Sequence, residues 1–334
     1  MIEHIYIESE IADHPRTRDI VARFPKAVRI PCAHYGEVFN PKHQNFRLQK
    51  RCPALILARK HGPRVLPVPA GYGIGGRHNY YFSHMLNCLY DCRYCFLQGM
   101  YRSAHYVLFV DYEDFETDMA AVLERHAGDP VWFFSGYDCD SLALEPVSGF
   151  AAHFLPFFER HPHARLELRT KSTQVRGLLA RDALPNVVVA FSFTPQPVAE
   201  RWEQRTPDIG RRLEAAARLQ QAGWPVGLRF DPLIRIPHFE TEYDALFRQV
   251  FDILDAGRIH SVSTGAFRMP RPFMKNIQRL YPDEGLFAVA LEDERGMVSY
   301  PREHERAMLD FCLERLRAFV DEERLFPCTT EIAA

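Results

Sequence analysis

Residues 80–99 read YYFSHMLNCLYDCRYCFLQG, and this stretch decides the fold. Its opening, 80–84, has the short apolar character of a strand. Cys88, Cys92 and Cys95 follow directly, separated by three and then two residues. Working outward toward the C-terminus, strand-like apolar runs recur at 131–135, 165–170, 187–193, 225–230 and 260–265. Between them, 112–126, 151–160, 174–181, 207–223 and 242–256 carry apolar residues at helical spacing. Short apolar strands alternating with amphipathic helices indicate parallel β/α units. Six such units predict an α/β protein built on a partial (β/α)6 barrel over residues 76–265.

Residues 1–75 are expected to form an extension packed on that barrel, with a strand at Ile5-Tyr6-Ile7, a helix over 16–24 and an apolar run over 54–58. A second extension, 266–334, is expected to contribute a helix over 271–280. A long final helix over 302–321 has Met308, Phe311, Cys312, Leu316 and Phe319 on one face. The glycine run Gly71-Tyr72-Gly73-Ile74-Gly75-Gly76 precedes a strand rather than a helix, so it reads as a turn and not as a phosphate cradle.

Of the 334 residues 47% are hydrophobic and 25% charged, which excludes a disordered chain. The apolar runs, such as 187–191, fall far short of the roughly 20 residues that cross a bilayer. Residues 1–8 carry acids and lack a basic region and a small-residue cleavage site, so a cytoplasmic, reducing compartment and no membrane partner are expected. Eight unevenly spread cysteines do not make a disulfide scaffold, and three of them crowd into eight positions. That crowding points to metal binding or chemistry.

The net charge of −2 gives no overall sign of nucleic-acid binding. Locally the picture differs. From Val38 to Tyr90 there is no Asp or Glu, while Lys42, Arg47, Lys50, Arg51, Arg59, Lys60, Arg64 and Arg77 are all basic. A phosphate-rich partner, or acids elsewhere in the fold, could balance them. No Gly-x-Ser-x-Gly elbow, P-loop or His-Glu-x-x-His helix is present.

The cysteine trio lies where a barrel places reactive groups, in the loop after a strand. Three thiolates at this spacing can hold three irons of a cubane and leave the fourth open to a ligand. Zinc is the competing occupant, with His84 completing a Cys3His set.

Cys-x3-Cys-x2-Cys after the first barrel strand, with aromatic Tyr94 before the third cysteine, resembles the radical S-adenosylmethionine superfamily. More narrowly, Cys92-Arg93-Tyr94-Cys95-Phe96-Leu97-Gln98, Thr170-Lys171, Phe191-Ser192-Phe193, residues 222–227 and Phe267-Arg268 resemble, in their order, the spore photoproduct lyase family. The resemblance implies that Cys88, Cys92 and Cys95 hold a 4Fe-4S cluster. Its open iron would bind S-adenosyl-L-methionine and generate a 5'-deoxyadenosyl radical for lyase chemistry on a thymine-type lesion in DNA. It also implies cofactor contacts from Ser135, Gly136, Lys171 and Ser192, and a reducing partner such as a flavodoxin or ferredoxin. For damaged DNA the candidate contacts are Lys50, Arg51, Arg59, Lys60, Arg235, Arg268 and Arg271.

Two departures stand out. Phe96 occupies the position of a family tyrosine that assists hydrogen return, and Tyr137 falls where the family's hydrogen-donating cysteine belongs, with Cys139 two positions later. Cys139, Tyr137 and Tyr94 are therefore the candidate catalytic residues. Radical chemistry on RNA, a peptide or a metabolite, and a non-catalytic zinc-stabilised nucleic-acid-binding protein, are the alternatives.

Overall fold

The computed structural model describes residues 2–39, 41–69 and 73–328. Its main sheet has eight strands, in spatial order Leu325–Cys328, Ile259–Ala266, Val226–Leu233, Val187–Ser192, Ala164–Thr170, Val131–Ser135, His78–Phe82 and Val65–Pro67. All neighbours run parallel except Val65–Pro67, which pairs antiparallel with His78–Phe82. The sheet curls into the partial barrel expected from the alternating pattern. All six anticipated strands are in it.

Each barrel strand has two unlike faces, because successive side chains point to opposite sides. Phe133, Leu166, Leu168, Val189 and Phe191 join the large core between sheet and helices, where they are fully buried. The helices Tyr112–Arg125 and Phe150–Arg160 close this layer. Phe82 packs on Phe150 and Phe154 with ring centroids 5.8 and 5.4 Å apart. Fully burying each of these side chains contributes about 1.5–3 kcal/mol. The alternate positions Glu167, Arg169, Lys171, Arg229 and Asp231 point into the barrel instead.

A second sheet runs Val28–Cys32, His4–Glu8, Leu55–Ala58, Tyr106–Phe109 and Met85–Leu86. Its first four strands are parallel and the last is antiparallel. The chain thus leaves the barrel after His78–Phe82, adds Met85–Leu86 to this sheet, forms the cysteine loop, and returns to the same sheet as Tyr106–Phe109. Both ends of the cysteine loop are held.

The helix expected over 174–181 shrinks to Arg176–Leu179. Ser172 accepts a hydrogen bond from the Gln174 amide at 3.1 Å and the Thr170 hydroxyl accepts one from Ser172, so side chains take the amides that would open the helix. The final helix, expected over 302–321, ends at Leu316. Past it Ala318 and Phe319 donate to carbonyls three residues back, the tightened pattern of a helix end. Within the glycine run, 71 and 72 lie outside the described residues, and the strand His78–Phe82 follows the remainder. No helix among the described residues is long and apolar enough to cross a membrane. All eight cysteines are unpaired.

Candidate active site

The cysteine loop is shaped by local hydrogen bonding before any ligand is considered. Asn87 adopts φ 68°, a left-handed conformation that asparagine tolerates. Its side-chain amide donates to the carbonyls of Ser103 and His105 at 2.7 and 2.8 Å. Asp91-Cys92 pairs antiparallel with Glu203-Gln204, and the Arg93 amide donates to the Trp202 carbonyl at 2.8 Å. The short helix Leu97–Met100 follows. Gly99 there leaves no room for a side chain, since a Cβ would lie 2.2 Å from the Phe273 carbonyl oxygen on the helix Arg271–Leu280. The Asn276 amide donates to the Gly99 carbonyl at 2.9 Å. The loop is gripped from three sides.

Cys92 is buried, and Cys88 and Cys95 are half-buried. The three thiols feel one another electrostatically. Burial, then Asp140, pushes the Cys88 thiol up to about 12, and burial raises Cys92 and Cys95 as well. Two ammonium groups oppose this: Lys171 beside Cys92 and Cys95, and Lys50 beside Cys88 and Cys95. Lys50 is 9% exposed and stands 3.7 Å from Asp91, so this candidate phosphate contact faces the cysteine loop.

Lys171 also stands 3.7 Å from Glu203 and 5.2 Å above the Tyr94 ring. Glu203 is the hub of this buried network. It accepts hydrogen bonds from the Tyr94 hydroxyl, from Thr194 at 3.0 Å and from Arg212. Burial alone would raise its carboxyl, but Lys171 and Arg212 hold it below the usual range. Arg212 further donates to the Ser192 carbonyl at 3.2 Å, which ties the end of the strand Val187–Ser192 to the same cluster.

The loop after Val131–Ser135 forms the opposite wall. Ser135 is engaged with Ser141 at 2.8 Å and donates to the Glu167 carbonyl at 2.9 Å. Gly136 has φ +87°, and a Cβ would lie 2.7 Å from Ser141 Oγ and 3.1 Å from the Arg169 carbonyl, so only glycine fits. Asp140 is buried and accepts from Thr170 at 2.7 Å and from the Lys171 amide at 2.6 Å, joining this loop to the next strand end. Tyr137 is 44% exposed, with its ring centroid 4.7 Å from Tyr81 and 5.4 Å from Phe96. Cys139 is 5% exposed, sits in the core of the second sheet, and has its sulfur 3.9 Å from His84 Nδ1.

These residues fit an iron-sulfur cluster better than one zinc ion. The ligand-atom groups within 4.8 Å of one another among the described residues are Glu3, His4, Cys52 and Glu8, His34, His61. The cysteine trio is not among them. Its spacing is wider than a single ion with Zn–S bonds of about 2.3 Å imposes, and suits a multinuclear core. His84 does not complete a Cys3His set: it stacks on Phe150 at 3.8 Å and faces Cys139, and burial holds its imidazole down to about 3.

Residues 78–300 match the family model described as spore photoproduct lyase. The chain belongs to the spore photoproduct lyase family. The family's iron-sulfur cluster and S-adenosylmethionine are its cofactors, which removes the zinc alternative. The spore photoproduct lyase of Clostridium acetobutylicum is 22% identical over 260 residues, covering 76% of this chain and 75% of the relative. That of Bacillus subtilis is 23% identical over 198 residues, 58% of each. A solved spore photoproduct lyase complexed with dinucleoside spore photoproduct superposes with a TM-score of 0.84 at 18% identity over 99% of both chains. A mutant spore photoproduct lyase with bound AdoMet and dinucleoside spore photoproduct gives 0.84 at 17% identity over 98% of both.

For a member of the spore photoproduct lyase family, the acid-free segment has an ordinary explanation for much of its charge. Arg59 pairs with Asp114 at 2.8 Å, Arg64 with Asp111, Asp114 and Asp118, and Arg77 with Asp129 at 3.6 Å. Lys60 lies 4.8 Å over the Phe109 ring, and burial lowers its ammonium. Arg51 is exposed. Arg268 forks onto Asp231 at 3.1 and 3.2 Å, Arg271 pairs with Asp293 at 3.1 Å, and Arg235 meets His304 at 3.2 Å. The structure gathers Cys88, Cys92, Cys95, Tyr94, Lys171 and Ser192 at one end of the barrel, with Ser135, Gly136 and Tyr137 on the facing loop. Glu203, Arg212 and Asp140 complete that end and escape a sequence reading. Glu203 and Arg212 lie in a connecting segment and on a helix, where acid and base are the commonest surface residues.

Proposed function

We propose that this chain is a radical S-adenosylmethionine lyase acting on a thymine-type lesion in DNA. Family membership over residues 78–300 carries the reading. The convergence of the three cysteines with Lys171 and the end of the strand Val187–Ser192 supports it. Cys88, Cys92 and Cys95 would hold the cluster, which supplies the electron that cleaves the bound sulfonium cofactor. Every other role belongs to the chain. Lys171 supplies a fixed positive charge for the cofactor's carboxylate, held in place by Glu203, and charge-assisted contacts of this kind are short and strong. Gly136 lets the backbone approach where a side chain would obstruct it. Tyr81, Tyr137 and Phe96 offer an aromatic wall for a base extruded from the duplex, and extrusion costs only a few kcal/mol at a distorted lesion.

Of the two candidate hydrogen donors, geometry favours Tyr137. Its ring stands half-exposed against Phe96, the residue after the third cysteine, whereas Cys139 is turned into the second-sheet core against His84. Tyr94 is hydrogen-bonded to Glu203, which gives it a fixed orientation beside the trio. Exposed Lys42, Arg47 and Arg51, in the segment whose Lys50 faces the cysteine loop, suit an acidic electron carrier such as a flavodoxin or ferredoxin. The interior of a cell is the compartment such a carrier and unpaired cysteines require.

Anaerobic reconstitution with iron and sulfide, followed by reduction with S-adenosylmethionine and irradiated DNA, tests the whole reading. Wild type is expected to release 5'-deoxyadenosine and restore thymines, and Cys92→Ala to do neither. Unchanged 5'-deoxyadenosine formation in Cys92→Ala overturns it. Tyr137→Phe is expected to change the product ratio while cofactor cleavage persists, and Cys139→Ala to leave both as they are.

A further inference from the structure

Below the cysteine loop, the barrel interior carries charges that the proposed chemistry does not use. Glu167 and Arg229 are fully buried and joined by two hydrogen bonds, of 2.7 and 3.3 Å. Arg229 spends its remaining donors on the Ser261 hydroxyl and carbonyl and the Leu228 carbonyl. One layer up, Asp231 and Arg268 form a second fork, and Arg268 also donates to the Ala266 carbonyl. Each carboxylate already has a guanidinium of its own.

A third guanidinium is left over. Arg169 lies between these pairs, two residues before Lys171, which follows directly on the strand end. Its Nε donates to Glu167 Oε1 at 3.1 Å, and its two terminal nitrogens have no hydrogen-bond partner among the described residues. The side chain is 41% exposed although Glu167, Asp231 and Cys328 all act on it, so part of the guanidinium on the inward side of the sheet is open to solvent. Phe134 on the neighbouring strand, in register with Glu167, and Tyr81 on the strand beyond it are half-buried on the inward face. Three guanidiniums therefore gather around the two carboxylates Glu167 and Asp231, with the unbalanced one below the reaction centre and beside aromatic side chains.

We infer that Arg169 is a substrate-binding residue that receives an oxyanion, a phosphate group, inside the barrel. The geometry is that of a planar fork with two uncommitted donors, which phosphate oxygens match bidentately. Glu167 fixes the near edge of the guanidinium and leaves the outer edge for the ligand. This deepens the proposed function and rests on it for the source of the phosphate: the phosphodiester joining the two damaged nucleotides, or else the phosphate of a free mononucleotide.

The test uses the full chain without reconstitution, because Arg169 is not a cluster ligand. Thermal stability is measured in inorganic phosphate against chloride of equal ionic strength for wild type, Arg169→Met and Arg169→Lys. Phosphate is expected to raise the midpoint of wild type, to do so less for Arg169→Lys, and not for Arg169→Met. Equal shifts in all three, or none, overturn the inference. If Arg169→Met does not fold, Arg169→Gln replaces it, since Glu167 keeps Arg229 in either variant. Binding of photoproduct with and without its bridging phosphate, and of thymidine monophosphate, then identifies the source. Wild type is expected to favour the phosphate-bearing photoproduct by about tenfold or more, and Arg169→Met to lose that preference. A phosphate effect specific to Arg169 together with monophosphate binding, but no photoproduct binding, keeps the oxyanion site and defeats the lesion reading. A phosphate preference undiminished in Arg169→Met defeats the oxyanion site and leaves the lesion reading standing.

Discussion

The strand Ala164–Thr170 has two faces, and they do different work. Leu166 and Leu168 point outward into a core of helices and are fully buried. Glu167, Arg169 and, just past the strand end, Lys171 point inward and grade from a closed ion pair, through a half-open guanidinium, to an ammonium beside the cysteines. The outward face is interchangeable with that of any well-packed barrel. On the inward face Glu167 is sealed, Arg169 is the most open of the three at 41% exposed, and Lys171, at 15%, is tied to Glu203, so stability and ligand-binding groups are separated along one line of residues.

Substitutions can break or sharpen that division. The largest stability loss is expected from Arg229→Met, about 3–5 kcal/mol, because Glu167 is left as a buried charge with only the partly open Arg169 beside it. Urea unfolding measures this, and a loss below about 1 kcal/mol would show that the inner pair is not part of the stabilising layer. Leu168→Ala, on the outer face, is expected to cost about 2–5 kcal/mol while leaving cluster reconstitution intact.

The pH dependence comes next. Burial would raise the Glu167 carboxyl, but Arg229 and Arg169 hold it down to about 2, below its ordinary 4.5. Its stabilising contribution is therefore complete above about pH 4.5 and fades as the pH falls toward 2. Urea midpoints recorded from pH 6 to pH 2.5 should fall along this limb in wild type and fall less in Glu167→Gln. Lys171→Met is expected to disturb stability least, since Glu203 retains Arg212, Tyr94 and Thr194. Its effect should appear instead as about tenfold to a hundredfold weaker S-adenosylmethionine binding to the reconstituted protein, measured by equilibrium dialysis.

The same two faces explain what a sequence reveals. Outward residues repeat an apolar signal with a fixed period, so all six barrel strands are legible, Val131–Ser135 to its exact ends. The cysteine trio is legible because its spacing is local. The second sheet is not: Met85–Leu86 and Tyr106–Phe109 are short, they pair with each other, and Tyr106–Phe109 joins them to a strand from the first sixty residues. Glu203, Arg212 and Asp140 were hidden for a related reason, since nothing local distinguishes a buried charged residue from a solvated one. Lys50 and Arg59 illustrate the converse, as an acid-free run of sequence meets its acids at Asp91 and Asp114 only in three dimensions.

The pairing of Asp91-Cys92 with Glu203-Gln204 sets an order of events during synthesis. Tyr94 and Glu203 are 109 residues apart in sequence, and the loop is held against Glu203 only once that later segment has left the ribosome and docked. Until then the loop is held at its two ends, by Met85–Leu86 and Tyr106–Phe109, but lacks the contact at Asp91-Cys92. The trio therefore takes the arrangement seen here only once the chain has folded past its fourth barrel strand, so the ligand set is a product of barrel closure rather than its nucleus.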